Sequence, residues 1–164
     1  MLSLGTSEPA RLGALARSTP ATRPMPQATA LPDHLFYDGH CGLCHLAVRF
    51  AMKRDRVGTA FRFAPLGGET FLARVDRSRR AALPDSIVVL TADGALLARS
   101  DAIVRILERI GGGWRVLGKL FETIPRPSRD AGYNFVSIVR YRVFGRRDEL
   151  CPVMSPEERK RFDP

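Results

Sequence analysis

A chain of 164 residues, 45% hydrophobic and 26% charged, is long enough for one domain with a core and short for two. No run approaches the ~18–20 continuous apolar residues of a membrane-spanning helix, because the longest apolar stretches, residues 103–110 and 114–121, are interrupted by Arg, Glu, Lys and Gly. The net charge of +9 raises nucleic acid as a partner, but the basic residues are spread along the chain, aromatics reach only 8% and no nucleic-acid motif accompanies them, so a solvated arginine-rich surface is expected instead.

Residues 1–30 are rich in Ala, Ser, Thr, Pro and Arg without a sustained period, which predicts a disordered extension ahead of a domain over residues 31–164. A secretory signal fits poorly, since the start lacks a basic segment and residues 12–16 are too short for an apolar one. The expected location is therefore cytoplasmic. From His34 onward the pattern is α/β. Residues 35–37 read as a strand and 42–54 as a helix with Leu43, Leu46, Ala47, Phe50 and Ala51 on its buried face. Residues 61–64 form a second strand stopped by Pro65, and residues 69–80 a second helix. The β-branched run over 86–90 is the mark of a strand buried on both faces. Ala92-Asp93-Gly94 then turns the chain into a return strand over 95–98.

Ser100 is placed to cap a helix running to Ile110, which three glycines end. Residues 114–123 are amphipathic and stop at Pro125 and Pro127. A long helix follows over 130–144, closed by Gly145. Ser155-Pro156-Glu157-Glu158 combines a capping box with a proline at the first helical position, so a short helix starts there. Strand, helix, strand, helix, hairpin, helix is the order of a thioredoxin-like α/β fold, a mixed sheet flanked by helices, here with a C-terminal helical extension.

The chemistry concentrates in Cys41-Gly42-Leu43-Cys44-His45, directly behind the first strand and the Asp38-Gly39 turn. A Cys-x-x-Cys at a strand-to-helix junction puts its first cysteine where orphan N–H groups and the helix dipole stabilise a thiolate. Its second, one turn on, is close enough to attack a mixed disulfide. Cys41 is thus the expected nucleophile and Cys44 the more buried resolving thiol. His40, when protonated, would lower the Cys41 pKa further; its alternative is an ordinary loop residue. Asp38 either forms the turn through its own backbone or accepts the proton of Cys44. Cys151 is either an inert buried thiol, a second resolving thiol or a metal ligand. Tyr141 with Arg140 and Arg142 would line a substrate site, or Tyr141 and Phe144 pack a helix on the sheet with the arginines in solvent. Trp114 reads as a core anchor.

Three other readings compete. Cys41-x-x-Cys44-His45 also matches a haem-attachment pattern, with His45 as iron ligand and Met52 or Met154 opposite. Cys41, Cys44, Cys151 and a histidine would make a zinc site, though only one compact Cys-x-x-Cys is present. The basic C-terminal helices would serve a non-enzymatic binding module.

Tyr37-Asp38-Gly39-His40-Cys41-Gly42-Leu43-Cys44 resembles the signature of the DCC family of predicted thiol-disulfide oxidoreductases. The resemblance continues in Phe61-Arg62-Phe63-Ala64-Pro65-Leu66, in Asp85-Ser86-Ile87-Val88-Val89, in the Pro-x-x-x-Arg-Asp-x-x-Tyr segment from Pro125 to Tyr133, and in Arg140-Tyr141-Arg142-Val143-Phe144-Gly145 followed by Cys151. It implies a thioredoxin-like fold and a dithiol activity without an organic cofactor. The partners it implies are a protein or small-molecule disulfide and a thiol electron donor. Better-known thioredoxin relatives place a cis-proline before the third strand to dock substrate. Pro84 precedes that strand here, as the candidate for this role or as a trans proline in a loop.

Overall fold

The computed structural model describes residues 31–84, 86–145 and 155–164. The disordered extension expected over residues 1–30, and Asp85, Cys151 and Met154, lie outside them. The sheet is built around β1 (Asp33–Tyr37), every residue of which is buried. β1 pairs in parallel with β2 (Phe61–Pro65), from Asp33 opposite Phe61 to Tyr37 opposite Pro65. On its other side it pairs antiparallel with β3 (Val88–Leu90), Leu35 facing Val89. β4 (Leu96–Ala98) continues antiparallel to β3, giving the order β2-β1-β3-β4. The parallel pair is joined by the crossover helix α1 (Gly42–Arg54), as parallel strands require. The mixed sheet flanked by helices is the thioredoxin-like architecture that the order of elements predicts. The inner strands β1 and β3 are covered on both faces, which is why residues 35–37 and 88–90 read as apolar runs, while Asp33 and His34 at the start of β1 are buried polar residues. Pro65 falls at the end of an edge strand, where its missing N–H is tolerated.

Alternation along β1 divides the core. Leu35 and Tyr37 join Phe61, Phe63 and Val89 beneath α1 and α4 (Arg99–Ile110), whereas Phe36 joins Ala64, Val88 and Leu90 beneath Phe71 and Val75. Five local expectations need correction. The buried side of α1 is Cys44, His45, Val48, Ala51 and Met52, and Leu46 is half exposed. The helix has two sets of neighbours: Val48 and Met52 meet the sheet, while Phe50 meets Trp114 edge-on at 4.9 Å. Trp114 is accordingly a half-buried contact to α1, with the Arg54 guanidinium over its ring at 5.2 Å, rather than a core residue.

The single helix expected over 69–80 is two, α2 (Glu69–Arg74) and α3 (Arg77–Ala81). Val75 between them turns to an extended conformation (φ −117°, ψ 118°) and drops into the core, which ends the helix. Ser100 is not a cap. It lies inside the first turn of α4, where its N–H, 3.4 Å away, and its hydroxyl are both bonded to Asp130 Oδ1.

Asp130 belongs to α6 (Arg126–Phe144), which follows α5 (Gly112–Glu122). α6 starts four residues earlier than expected. Pro125 sits at its N-cap and Pro127 in its first turn, where a missing N–H breaks no helical bond. α7 (Pro156–Arg159) carries the predicted capping box. The chain after it runs beside β2. Phe63 N–H donates to Arg161 O at 2.9 Å, Asp163 N–H donates to Phe63 O at 2.8 Å, and Phe162 stacks on Phe63.

Candidate active site

β1 delivers the chain to a turn that is fastened at every residue. Asp38 Oδ1 accepts the His40 N–H at 2.9 Å, and Asp38 O accepts the Cys41 N–H at 3.2 Å. Gly39 O accepts from His45 Nε2 at 2.7 Å, which fixes the tautomer, because a carbonyl can only accept. The nitrogen that an iron ligand would need is therefore held by the turn, and Met52 is packed in the core. Among the described residues no three His, Cys, Asp or Glu side chains gather around a metal-sized site.

Cys41 is the N-cap of α1, and its sulfur accepts the Cys44 N–H at 3.4 Å. The Cys44 thiol, donating to the same sulfur, is the main reason the Cys41 pKa is held down to about 6; the Cys44 N–H and the Arg140 guanidinium act in the same direction against burial. The Cys44 pKa is raised, first because that proton is held by Cys41 and then by burial. The pair is thus asymmetric in acidity. Its burial differs from expectation: Cys41 is fully buried, and Cys44, expected to be the more buried thiol, is 3% exposed. The C-terminal end of α6 lies over the turn. Gly42 N–H donates to Gly145 O at 3.4 Å, and a Cβ on Gly42 would stand 2.3 Å from Phe144 O.

α6 also brings two side chains to the turn. Tyr141 O–H donates to Asp38 Oδ2 at 2.6 Å. Arg140 Nη2 donates to the Tyr141 oxygen at 3.0 Å and lies 3.9 Å from Asp38 Oδ2. The expectation that Arg140 sits in solvent is wrong, since its side chain is 3% exposed, whereas Arg142 is exposed. Cys41, Cys44, Asp38 and Tyr141 thus converge, and His40 is exposed at the tip of the turn. Pro84 is half-buried on the approach to β3 and follows a trans peptide bond. On that approach the Ile87 N–H donates to the Tyr133 hydroxyl at 3.1 Å.

Residues 35–146, which span the sheet, the dithiol turn and α6, match the family described as DCC1-like thiol-disulfide oxidoreductase. The chain belongs to that family. This DCC1-like chain is 37% identical over 134 residues to YuxK, an uncharacterized protein of Bacillus subtilis (strain 168), a match covering 79% of the chain and 93% of YuxK. It is 32% identical over 114 residues to a chloroplastic DCC family protein of Arabidopsis thaliana, covering 70% of the chain and 66% of that relative. No solved structure matches. No helix among the described residues is long and apolar enough to cross a membrane.

The DCC1-like Pro-x-x-x-Arg-Asp-x-x-Tyr segment proves to be a staple. Arg129 bonds Asp101 Oδ1 of α4 at 3.1 Å and Ile124 O at 3.0 Å, Asp130 bonds Ser100, and the Tyr133 hydroxyl accepts from the Ile87 N–H just ahead of β3. Between this segment, α1 and α4 lies a groove of about 430 Å³ whose wall includes Cys44, Leu43, Ala47 and Ile103. Sequence reasoning missed Arg129 and Tyr133 as parts of the site, and offered Arg140 as a substrate-lining residue or a solvated charge rather than as a buried partner of Tyr141 and Asp38. The one signal for the first two was the family resemblance, because Asp101 of α4 and Ile87, which they tie to α6, are distant in sequence.

Proposed function

We propose that this chain exchanges two electrons with disulfides through Cys41 and Cys44. The observation that carries the reading is the convergence of the Cys44 N–H and thiol on Cys41 Sγ at the N-cap of α1, which favours one thiolate and keeps its neighbour protonated. The Cys41 thiolate attacks a substrate sulfur, forming a mixed disulfide and expelling the first substrate thiolate. Cys44 gives up its proton and attacks Cys41 Sγ, closing the Cys41–Cys44 disulfide and releasing the second substrate thiol. The substrate disulfide is reduced by two electrons and the pair oxidised by two. An external thiol donor returns them.

Asp38 takes a positioning role, ordering the turn through His40 and holding α6 through Tyr141. His40, exposed beside the pair, and Tyr141 are the residues we assign to substrate docking, and Pro84, trans in the loop before β3, is assigned the loop role. In a reducing compartment such as the cytosol the pair rests as the dithiol.

The test is a glutathione redox titration of the protein and of Cys151→Ser, read by the mass of alkylated thiols. A two-electron transition confined to Cys41 and Cys44 supports the reading; a pair that never forms a disulfide overturns it. Asp38→Asn keeps the turn bond. Under positioning alone it leaves resolution of the mixed disulfide unchanged from about pH 6 to 9, and a loss there would make Asp38 the base.

A further inference from the structure

The groove beside Cys44 combines two features that the redox reading does not use. Its wall is almost wholly apolar, formed by Leu43 and Ala47 of α1, Ile103 of α4, Phe121 of α5, and Val136 of α6. Among the described residues its only charged lining residues are two arginines, Arg129 and Arg140, with no acidic residue. Arg140 is committed to Tyr141 and Asp38. Arg129 is more than nine-tenths buried, its side chain 7% exposed, and it spends Nε on Ile124 O and Nη2 on Asp101. Its Nη1 is buried and has no hydrogen-bond partner among the described residues. A buried guanidinium N–H without an acceptor is costly, and an acceptor arriving in the groove would remove that cost. Asp101 does not cancel the charge, because it is shared with Arg126 at 2.6 Å. The volume falls within the ~300–1,000 Å³ of small-molecule sites.

We infer that this groove binds a small amphipathic carboxylate, its chain against Leu43, Ala47, Ile103 and Val136 and its carboxylate on Arg129 Nη1. The ligand is a free monomeric molecule of medium chain length. The surrounding charge selects an anion, and the apolar wall selects the chain. Because Cys44 is part of that wall, the bound ligand covers its sulfur. The site requires no turnover, so it stands or falls separately from the redox reading.

Octanoate, 1-octanol and octylammonium are titrated into the full chain by calorimetry. Octanoate is expected to bind about tenfold or more tighter than octanol, the size of one charge-assisted hydrogen bond, and octylammonium not at all. Arg129→Gln removes the preference for octanoate over octanol while keeping octanol binding. Val136→Trp, at a half-exposed position that leaves the Arg129 contacts alone, fills the groove and abolishes both. As a second readout, octanoate slows alkylation of Cys44 in a Cys41→Ser/Cys151→Ser variant. Equal affinity for octanoate and octanol, or no binding of either to a protein whose thiols titrate normally, overturns the inference. Sedimentation with phosphatidylglycerol vesicles without binding of monomeric octanoate overturns it also, by making the face a membrane contact.

Discussion

The Tyr141 hydroxyl, near the end of α6, donates a 2.6 Å hydrogen bond to Asp38 Oδ2 in the turn before the cysteine pair. Two residues separated by 103 positions therefore tie the last long helix to the redox turn. Tyr141→Phe removes the donor and leaves the ring packed. We expect a loss of about 1–2 kcal/mol in urea unfolding, with an unchanged m-value. An unchanged midpoint would mean that the bond contributes nothing net.

The thiolate at Cys41 sets a pH dependence. Its pKa is lowered to about 6 from an ordinary thiol value of 9.0. Absorbance of the reduced protein at 240 nm should rise with a midpoint near 6 and lose that transition in Cys41→Ser. Cys44→Ala deletes the thiol donor that is the main cause of the shift, so the midpoint should move up toward the ordinary thiol range. Between the two values the unfolded chain binds one more proton than the folded one. This contribution to stability of the reduced protein is fully present above pH 9, and is lost as pH falls through 6.

Gly42 faces the backbone at the end of α6. Alanine there improves helix propensity by up to about 1 kcal/mol, but its Cβ would sit 2.3 Å from Phe144 O, an atom that cannot swing aside. The steric term should win, with Gly42→Ala less stable by about 1–3 kcal/mol. Cys41 should also become more reactive toward iodoacetamide as the helix end is displaced. Equal alkylation rates in the two proteins would mean that the α6 end does not cover the pair.

Asp33 is a fully buried carboxylate in β1. It accepts from Arg105 Nε at 2.7 Å and from the Ala92 N–H at 3.0 Å. Asp33→Leu strands the Arg105 guanidinium and an N–H of the hairpin, at a cost of about 3 kcal/mol or more. The site lies at the opposite end of β1 from Tyr37, so the 240 nm titration of Cys41 should not change. A shifted midpoint would reveal coupling along the strand.

The strands, α1 and the dithiol turn were legible because apolar runs, Gly and Pro punctuation and a four-residue cysteine spacing are local signals. What was illegible depended on distant partners. The buried face of α1 could not be read from periodicity, because Val48 answers to the sheet and Phe50 to Trp114. The break at Val75 is imposed by the core beneath it. Arg140 reads locally as a solvated helix charge and is buried only because Asp38 and Tyr141 receive it. The cysteine spacing announced the pair but not the α6 backbone that covers it.

The segment that returns along β2 has a consequence for strand exchange. Phe63 spends its outward N–H on Arg161 and its outward C=O on Asp163, and the Arg62–Asp163 ion pair closes the same border. An extended peptide seeking to lengthen the sheet finds this border already taken by the protein itself. Of the two margins, recruitment of a foreign strand is left to the three-residue β4, far too short to template a growing array.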